Sequence, residues 1–414
     1  MNILILSQEY VPEEVSSAIV TQELAEDLAR HGNEVSVVTR APNYPLGRVF
    51  PGYHNKLYQV ENINGVQVHR VWSYITPSKG FWQRILSFGT YSADAFLGGL
   101  LVQKPDLLVC YSPPLPLGVT GWLLSCVWRI PWVLRVEDLY PEAAVAAGVL
   151  TSQRAVQFFN WLANFLYQHS SQISVITEGF RRCLLQKNVP DELITINSCW
   201  ADPDFVTPQL KENAFRLAHG LSRKFVVMYA GALGLTSALE DVLEAAFILK
   251  SHPDIMFVIV GEGIKKVWIQ QYIEQNCLSN VKVLPFQPRA DFPQMMAAAD
   301  VNLVTLNQAF SEFSLPHKVF DIMASNRPIL GVAPLGCDLA KLIQDNNCGL
   351  VVAPQKSMEL AQTILKMMDD PDSLVEMGKH GRALLLSTYA RNICIDGYEK
   401  MFQKTLGKSS LERG

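Results

Sequence analysis

No pair of cysteines in this sequence stands in a Cys-x-x-Cys arrangement. The eight present (Cys110, Cys126, Cys183, Cys199, Cys277, Cys337, Cys348 and Cys394) are scattered, with no clustered histidines. That spacing argues against a structural zinc module and a disulfide framework, and it points to a reducing, cytoplasmic setting. A strong charge of either sign is also missing. The formal net charge of -4 gives no reason to expect a nucleic-acid partner. The opening MNILILSQEY lacks the basic segment and long apolar run of a secretory leader and reads as a first strand. One long uncharged run does occur, Leu107 to Trp128, but Pro113, Pro114 and Pro116 interrupt it and Val133 to Asp138 follows as another strand-like run. A buried strand, loop and helix therefore fits better than a membrane span.

With 414 residues the chain exceeds one typical core, and 49% hydrophobic against 18% charged residues places it among globular proteins, so two domains are expected. Asn2 to Ser7 reads as a strand, Ile19 to Arg30 as a helix closed by Gly32, and Glu34 to Thr39 as a second strand, which is a βαβ unit. Strand signals recur at Val66 to Trp72, Asp106 to Tyr111, Trp132 to Val136, Ile173 to Thr177 and Leu193 to Asn197. Apolar periodicity lapses from Cys199 to Lys224, where a linker is expected. Strands at Phe225 to Tyr229, Met256 to Val260, Val281 to Leu284, Val301 to Thr305, Ile329 to Val332 and Gly349 to Val352 follow, with glycine turns at Gly231 to Gly234 and Gly261 to Gly263. This pattern predicts an α/β protein of two doubly wound parallel-sheet domains facing a cleft, over 1–200 and 201–390. Residues 391–414 are expected to form a helix and tail that cross back to the first domain.

Parallel sheets bind ligands outside the carboxyl ends of their strands, so loops there draw attention. The stretch LPHKVFDIMASNRPIL, Leu315 to Leu330, joins a Leu-Pro turn and Lys318 to a helix and a strand. It offers either an anion site, made of helix N-terminal amides and a cation, or an ordinary βα unit with a solvated lysine. Glu137, Asp138 and Glu142 gather after a central strand, either facing a ligand or capping the next helix. Ser16-Ser17 lies near the first helix start, to meet a phosphate or sugar hydroxyl or to cap the helix. The loop Ala41 to Tyr53, with Tyr44, is too elaborate for a connector. Lys79 to Lys104 mixes aromatic, aliphatic and basic residues, and suits either an anionic membrane surface or a helix packed on its own sheet.

An ordered set of motifs resembles the retaining GT-B glycosyltransferases of the family 4 type, in particular those of exopolysaccharide and O-antigen assembly such as colanic-acid and fucosamine transferases. The set comprises the Ala41 to Tyr53 loop, Gly65 to Trp72, Ser112-Pro113-Pro114, Glu137 to Glu142, Tyr229-Ala230-Gly231, Val260 to Gly263, Ala298 to Val301 and the Leu315 stretch. The resemblance implies two Rossmann-like domains, a UDP- or GDP-linked sugar donor held mainly by the second, and a polyprenyl-diphosphate-linked saccharide acceptor held mainly by the first. It also implies work at the inner face of the cytoplasmic membrane, without cofactor or metal. By the same resemblance the turn at Leu315-Pro316 and Lys318 meets the diphosphate, Asp321 the ribose, and Gly231, Gly261, Glu262 and Gly263 the nucleotide. Glu137 and Asp138 orient the acceptor or reacting hydroxyl, and the leaving phosphate serves as base. Several positions depart from the family pattern. Ser16-Ser17 replaces Gly-Gly, Leu235 stands where an arginine is frequent, with Lys265 or Lys266 as substitutes, Asp321 is the shorter acid, and Glu312 is one place out of register at Phe313. Two alternatives stay open, a GT-B sugar-nucleotide epimerase and a catalytically silent partner of another transferase.

Overall fold

In the computed structural model, which describes residues 1–411 apart from 79, 147, 312 and 313, the apolar runs become two sheets in two separate units. Lys79, Glu312 and Phe313, named above, thus lie outside the described residues. The first unit is Met1–Ser198 with the C-terminal segment from Ile395, and the second is Cys199–Cys394.

The first unit alternates strands and helices: β1 (Asn2–Leu6), α1 (Ser16–Arg30), β2 (Glu34–Arg40), β3 (Tyr58–Ile63), β4 (Val66–Val71), α2 (Phe81–Leu100), β5 (Leu107–Ser112), α3 (Leu115–Trp128), β6 (Trp132–Val136), α4 (Glu142–Ala146), α5 (Gln153–His169), β7 (Gln172–Val175), α6 (Glu178–Gln186) and β8 (Ile194–Ile196). The sheet order is β3-β4-β2-β1-β5-β6-β7-β8. Leu4 of β1 pairs with Ser36 on one side and Leu108 on the other. Buried on both faces, β1, β5 and β6 read as almost unbroken apolar runs, and that made them legible.

The sheet is not wholly parallel, as the sequence reading expected, because β3 runs antiparallel to β4 at the edge. Its alternating, half-polar residues hid it, although Asn64-Gly65, both with positive φ, is a strong two-residue hairpin signal. The run from Leu107 to Trp128 is β5 followed by α3, and among the described residues no helix is long and apolar enough to cross a membrane. α2 packs on α3, and α3 on α5, so the three make one layer over the sheet.

The second unit begins with the stretch read as a linker, which is folded: α7 (Ala214–His219) buries Arg216 at 1% exposure. Arg216 donates to the Ala298 and Lys224 carbonyls and pairs with Asp300, whose carboxylate also accepts from the Val226 N–H. There follow β9 (Phe225–Ala230), α8 (Leu239–Ile248), β10 (Ile255–Val260), α9 (Lys266–Gln275), β11 (Val281–Leu284), α10 (Phe292–Ala297), β12 (Val301–Thr305), α11 (Lys318–Ala324), β13 (Ile329–Val332), α12 (Asp338–Asp345), β14 (Gly349–Val352), α13 (Ser357–Asp369) and α14 (Pro371–Leu384). This sheet, β11-β10-β9-β12-β13-β14, is parallel throughout. The final helix, α15 (Arg391–Leu411), starts in the second unit and from Ile395 belongs to the first, where Glu399 meets His31 and Asn33 at the end of α1.

Candidate active site

In each sheet the chain reverses its direction of winding beside the first strand, between β1 and β5 in one unit and between β9 and β12 in the other. A crevice forms outside the carboxyl ends of strands at such a point. In the first unit it is a pocket of about 240 Å³ lined by residues that follow β1 (Ser7, Gln8, Glu9), β5 (Pro113, Pro114) and β6 (Glu137, Asp138), together with Ser17, Phe88 and Tyr111. Three carboxylates, hydroxyls and two aromatic rings make a surface that accepts hydrogen bonds from sugar hydroxyls and stacks on a sugar ring.

Ser17 Oγ donates to Glu9 Oε2 at 2.6 Å, and Ser7 Oγ to the Glu9 carbonyl at 2.9 Å, so β1 and α1 hold Glu9 at the wall. Glu9 is among the pocket residues that sequence reasoning missed, with Gln8, Phe88 and Tyr111, since a lone acid in a polar loop carries no periodic signal. Asp138 is partly exposed, and its carboxyl is pushed up to about 7, first by burial and then by the neighbouring Glu137 charge. Glu137 has the opposite surroundings, with Arg135 Nε 3.7 Å from its carboxylate.

The structure corrects one further expectation here, that Ser16-Ser17 caps the first helix. The residue before α1 is Val15, which caps nothing with its side chain, so Ser16 and Ser17 occupy the first helical turn and neither is the N-cap. Ser16 is exposed and, like Tyr44, is not among the residues lining the pocket, whereas Ser17 is. The loop around Tyr44 is held from below: Glu13, 2% exposed, accepts from the backbone N–H groups of Asn43 and Tyr44, both at 2.8 Å. Burial raises its carboxyl above the usual range, and those two amides pull it back.

In the second unit the expected residues largely meet. Lys318 Nζ lies 3.7 Å from the centre of the Tyr229 ring, and a Cβ placed on Gly231 would stand 2.6 Å from that nitrogen. The turn after β9 and the start of α11 thus close around one ammonium group, and Lys318 has no carboxylate partner among the described residues. Gly261 and Gly263 lie where two turns of the second unit meet. A Cβ on Gly261 would fall 1.9 Å from the Gly231 carbonyl oxygen, and one on Gly263 2.4 Å from that of Leu233, so these glycines let the two turns pack backbone to backbone.

Other expected partners of an anion are already engaged. Lys265 Nζ donates to the Ser237 carbonyl at 2.8 Å and pairs with Glu240 at 2.7 Å, and Lys266 pairs with Glu262 at 2.6 Å. Both lysines are thus paired with glutamates, and Leu235, which stands where an arginine is frequent, offers only its carbonyl, which accepts from Asn307 Nδ2. At the start of α11 the amides of Val319 and Phe320 bond to the Pro316 and His317 carbonyls, because the turn tightens, so fewer donors face outward than the sequence suggested. Leu315 and Pro316 are partly exposed, and Asp321 lies 3.5 Å from His317 Nδ1, four residues back on the helix.

Comparison with known proteins matches this division. Residues 17–200 match the model for a glycosyl transferase 4-like domain and residues 212–384 that for glycosyl transferases group 1. The chain is 26% identical over 333 residues to WcaI of Escherichia coli strain K12, named for colanic acid biosynthesis, covering 78% of this chain and 81% of WcaI. It is 26% identical over 312 residues to WbjE of Pseudomonas aeruginosa, named as a glycosyltransferase, covering 75% and 77%. Its fold is that of HepE from Anabaena in complex with UDP-glucose, with a TM-score of 0.72 at 16% identity over 98% of this chain and 100% of that one. Two matched models that between them span both units, carried on two parallel-sheet α/β units, make this chain a glycosyltransferase of the GT-B, family 4 type.

Proposed function

We propose that the chain transfers a sugar, with retention of anomeric configuration, from a UDP- or GDP-linked donor to a polyprenyl-diphosphate-linked saccharide in exopolysaccharide or O-antigen assembly. The second unit takes the nucleotide sugar and the pocket of the first unit takes the acceptor. The observation that carries the reading is the Lys318 ammonium seated between Tyr229 and the Gly231 turn, at the carboxyl edge of β9. A cation there, bonded to no carboxylate among the described residues, offsets diphosphate charge as the bond to the leaving group breaks, and no metal ion is invoked. Glu137 and Asp138 orient the acceptor hydroxyl, and the departing phosphate takes its proton. Support for a polysaccharide product comes from the name of WcaI, and for a nucleotide-sugar donor from the UDP-glucose in HepE.

The layer of α2, α3 and α5 supports work at a membrane surface. Its three helices contain one acid, Asp94. Yet Trp82, Leu86, Leu97, Phe158 and Trp161 are exposed on it, flanked by the exposed Arg84, Lys104 and Arg154. Apolar and aromatic side chains with cations at the margin suit the interface of an anionic bilayer.

Calorimetry of the full chain with UDP and GDP, followed by transfer from the matching sugar nucleotides to a lipid-linked acceptor, tests the reading. One nucleotide binds and the product keeps the donor's anomeric configuration by NMR. Binding of neither nucleotide, or an inverted product, refutes it.

A further inference from the structure

We propose that Arg135, seated on Tyr398 of the C-terminal helix, is a positioning residue that holds the Glu137 carboxylate at the wall of the acceptor pocket. The inference rests on the reading of that pocket as the acceptor's. Arg135 is 0% exposed in the middle of the sheet, in a strand whose other residues are Trp132, Val133, Leu134 and Val136. A guanidinium in such a place costs several kcal/mol in lost hydration, where an apolar side chain costs none. What surrounds it accounts for its retention. Nη1 donates to the Asn197 carbonyl at 2.6 Å and to Ser174 Oγ at 3.3 Å, the Tyr398 ring lies 5.2 Å from Cζ, and Glu137 Oε1 lies 3.7 Å from Nε.

The first three contacts anchor the cation to β7, to the exit of β8 and to α15. The fourth aims it at the pocket, because Arg135 and Glu137 are two residues apart and so emerge on one face of the strand line. A glutamate on the loop after a strand has three free torsions, and a fixed cation beneath it selects one orientation and keeps it ionised. Asp138, Glu9 and Tyr111 are the titratable groups that share the pocket wall with it, and none is a cation. Of the adjacent pair, Glu137 then accepts a hydrogen bond from the sugar while Asp138, holding its proton near neutral pH, donates one. By this arrangement the C-terminal helix acts on the pocket without lining it.

The test uses the full chain labelled with 13C at the glutamate carboxyl carbons, the Glu137 signal being the one lost in Glu137→Gln. In Arg135→Met the Glu137 titration midpoint rises by about one pH unit or more. In Arg135→Lys and Tyr398→Leu, which keep a cation but loosen its seat, it rises by less. Unchanged midpoints in the variants that fold overturn the proposal, and should Arg135→Met not fold, the other two decide. The two readings fail separately: full transfer activity in Glu137→Gln removes the acceptor role of the pocket, whereas an unmoved titration removes the positioning role of Arg135.

Discussion

The ammonium of Lys318 rests on the face of Tyr229, 3.7 Å from the ring centre, and that ring is itself 2% exposed, its hydroxyl donating to the Ala232 carbonyl at 2.8 Å. An aromatic face holds a cation without neutralising it, so the full charge stays available to an anion. A carboxylate in that place would cancel it.

Lys318→Ala is therefore expected to weaken binding of the accepted nucleoside diphosphate by about tenfold, roughly 1–2 kcal/mol, with little change in Tm. Tyr229→Leu keeps the charge but loses its seat and weakens binding by about 0.5–2 kcal/mol. Calorimetry reads both, and an unchanged affinity in Lys318→Ala removes this residue from the site.

Gly261→Ala puts a methyl group where the Gly231 carbonyl now lies, and the obstacle is backbone, which cannot swing aside. The two turns must part, at about 2–4 kcal/mol. Thermal unfolding is expected to show the loss, and nucleotide binding to fall with it because Gly231 moves away from Lys318.

The carboxyl of Asp138, raised from 3.8 to about 7, retains in the folded chain a proton that the unfolded chain has already released. Stability consequently falls as the pH climbs from about 4 to about 7 and is level above that. Asp138→Asn removes the loss, so its Tm exceeds that of the parent at pH 8 and the difference closes towards pH 4. With partial exposure allowed for, the gain is about 1–3 kcal/mol. Equal Tm values at pH 8 would sink the assignment.

Arg216→Met leaves Asp300 buried at 8% exposure without its guanidinium partner, although Lys211 still reaches its other oxygen. Removing one member of such a pair costs about 3–5 kcal/mol. Differential scanning calorimetry should show the second unit melting earlier. Independent of the site, this tests whether the segment between the sheets is part of the second core.

Phe158→Ser with Trp161→Ser removes two exposed aromatics from α5. Sedimentation with vesicles containing anionic lipid is expected to show binding reduced several-fold, and nucleotide affinity unchanged. Equal partition of parent and variant would assign the aromatic layer to something other than lipid.

The parallel strands of both sheets, though not the antiparallel edge strand β3, were legible in the sequence because they are largely buried and so appear as short apolar runs between glycine, proline and polar loops. The same local chemistry marked Glu137 and Asp138 after β6, the turns at Gly231 and Gly261, and the start of α11 at Lys318. The aromatic helix α5 was not expected, although Gln157, Asn160, Asn164 and Gln168 recur there at helical spacing and leave the apolar residues to the other face. Tertiary structure alone decided which charges are available. Lys265 and Lys318 look alike in sequence, but the first is bonded to Glu240 and the second lies on Tyr229. Arg135 and Tyr398 stand far apart along the chain, and no local pattern brings them together beneath Glu137. Apolar burial follows from periodicity, which neighbours in sequence express. Pairing of charges follows from the crossing of distant strands and helices, which only the folded chain can set.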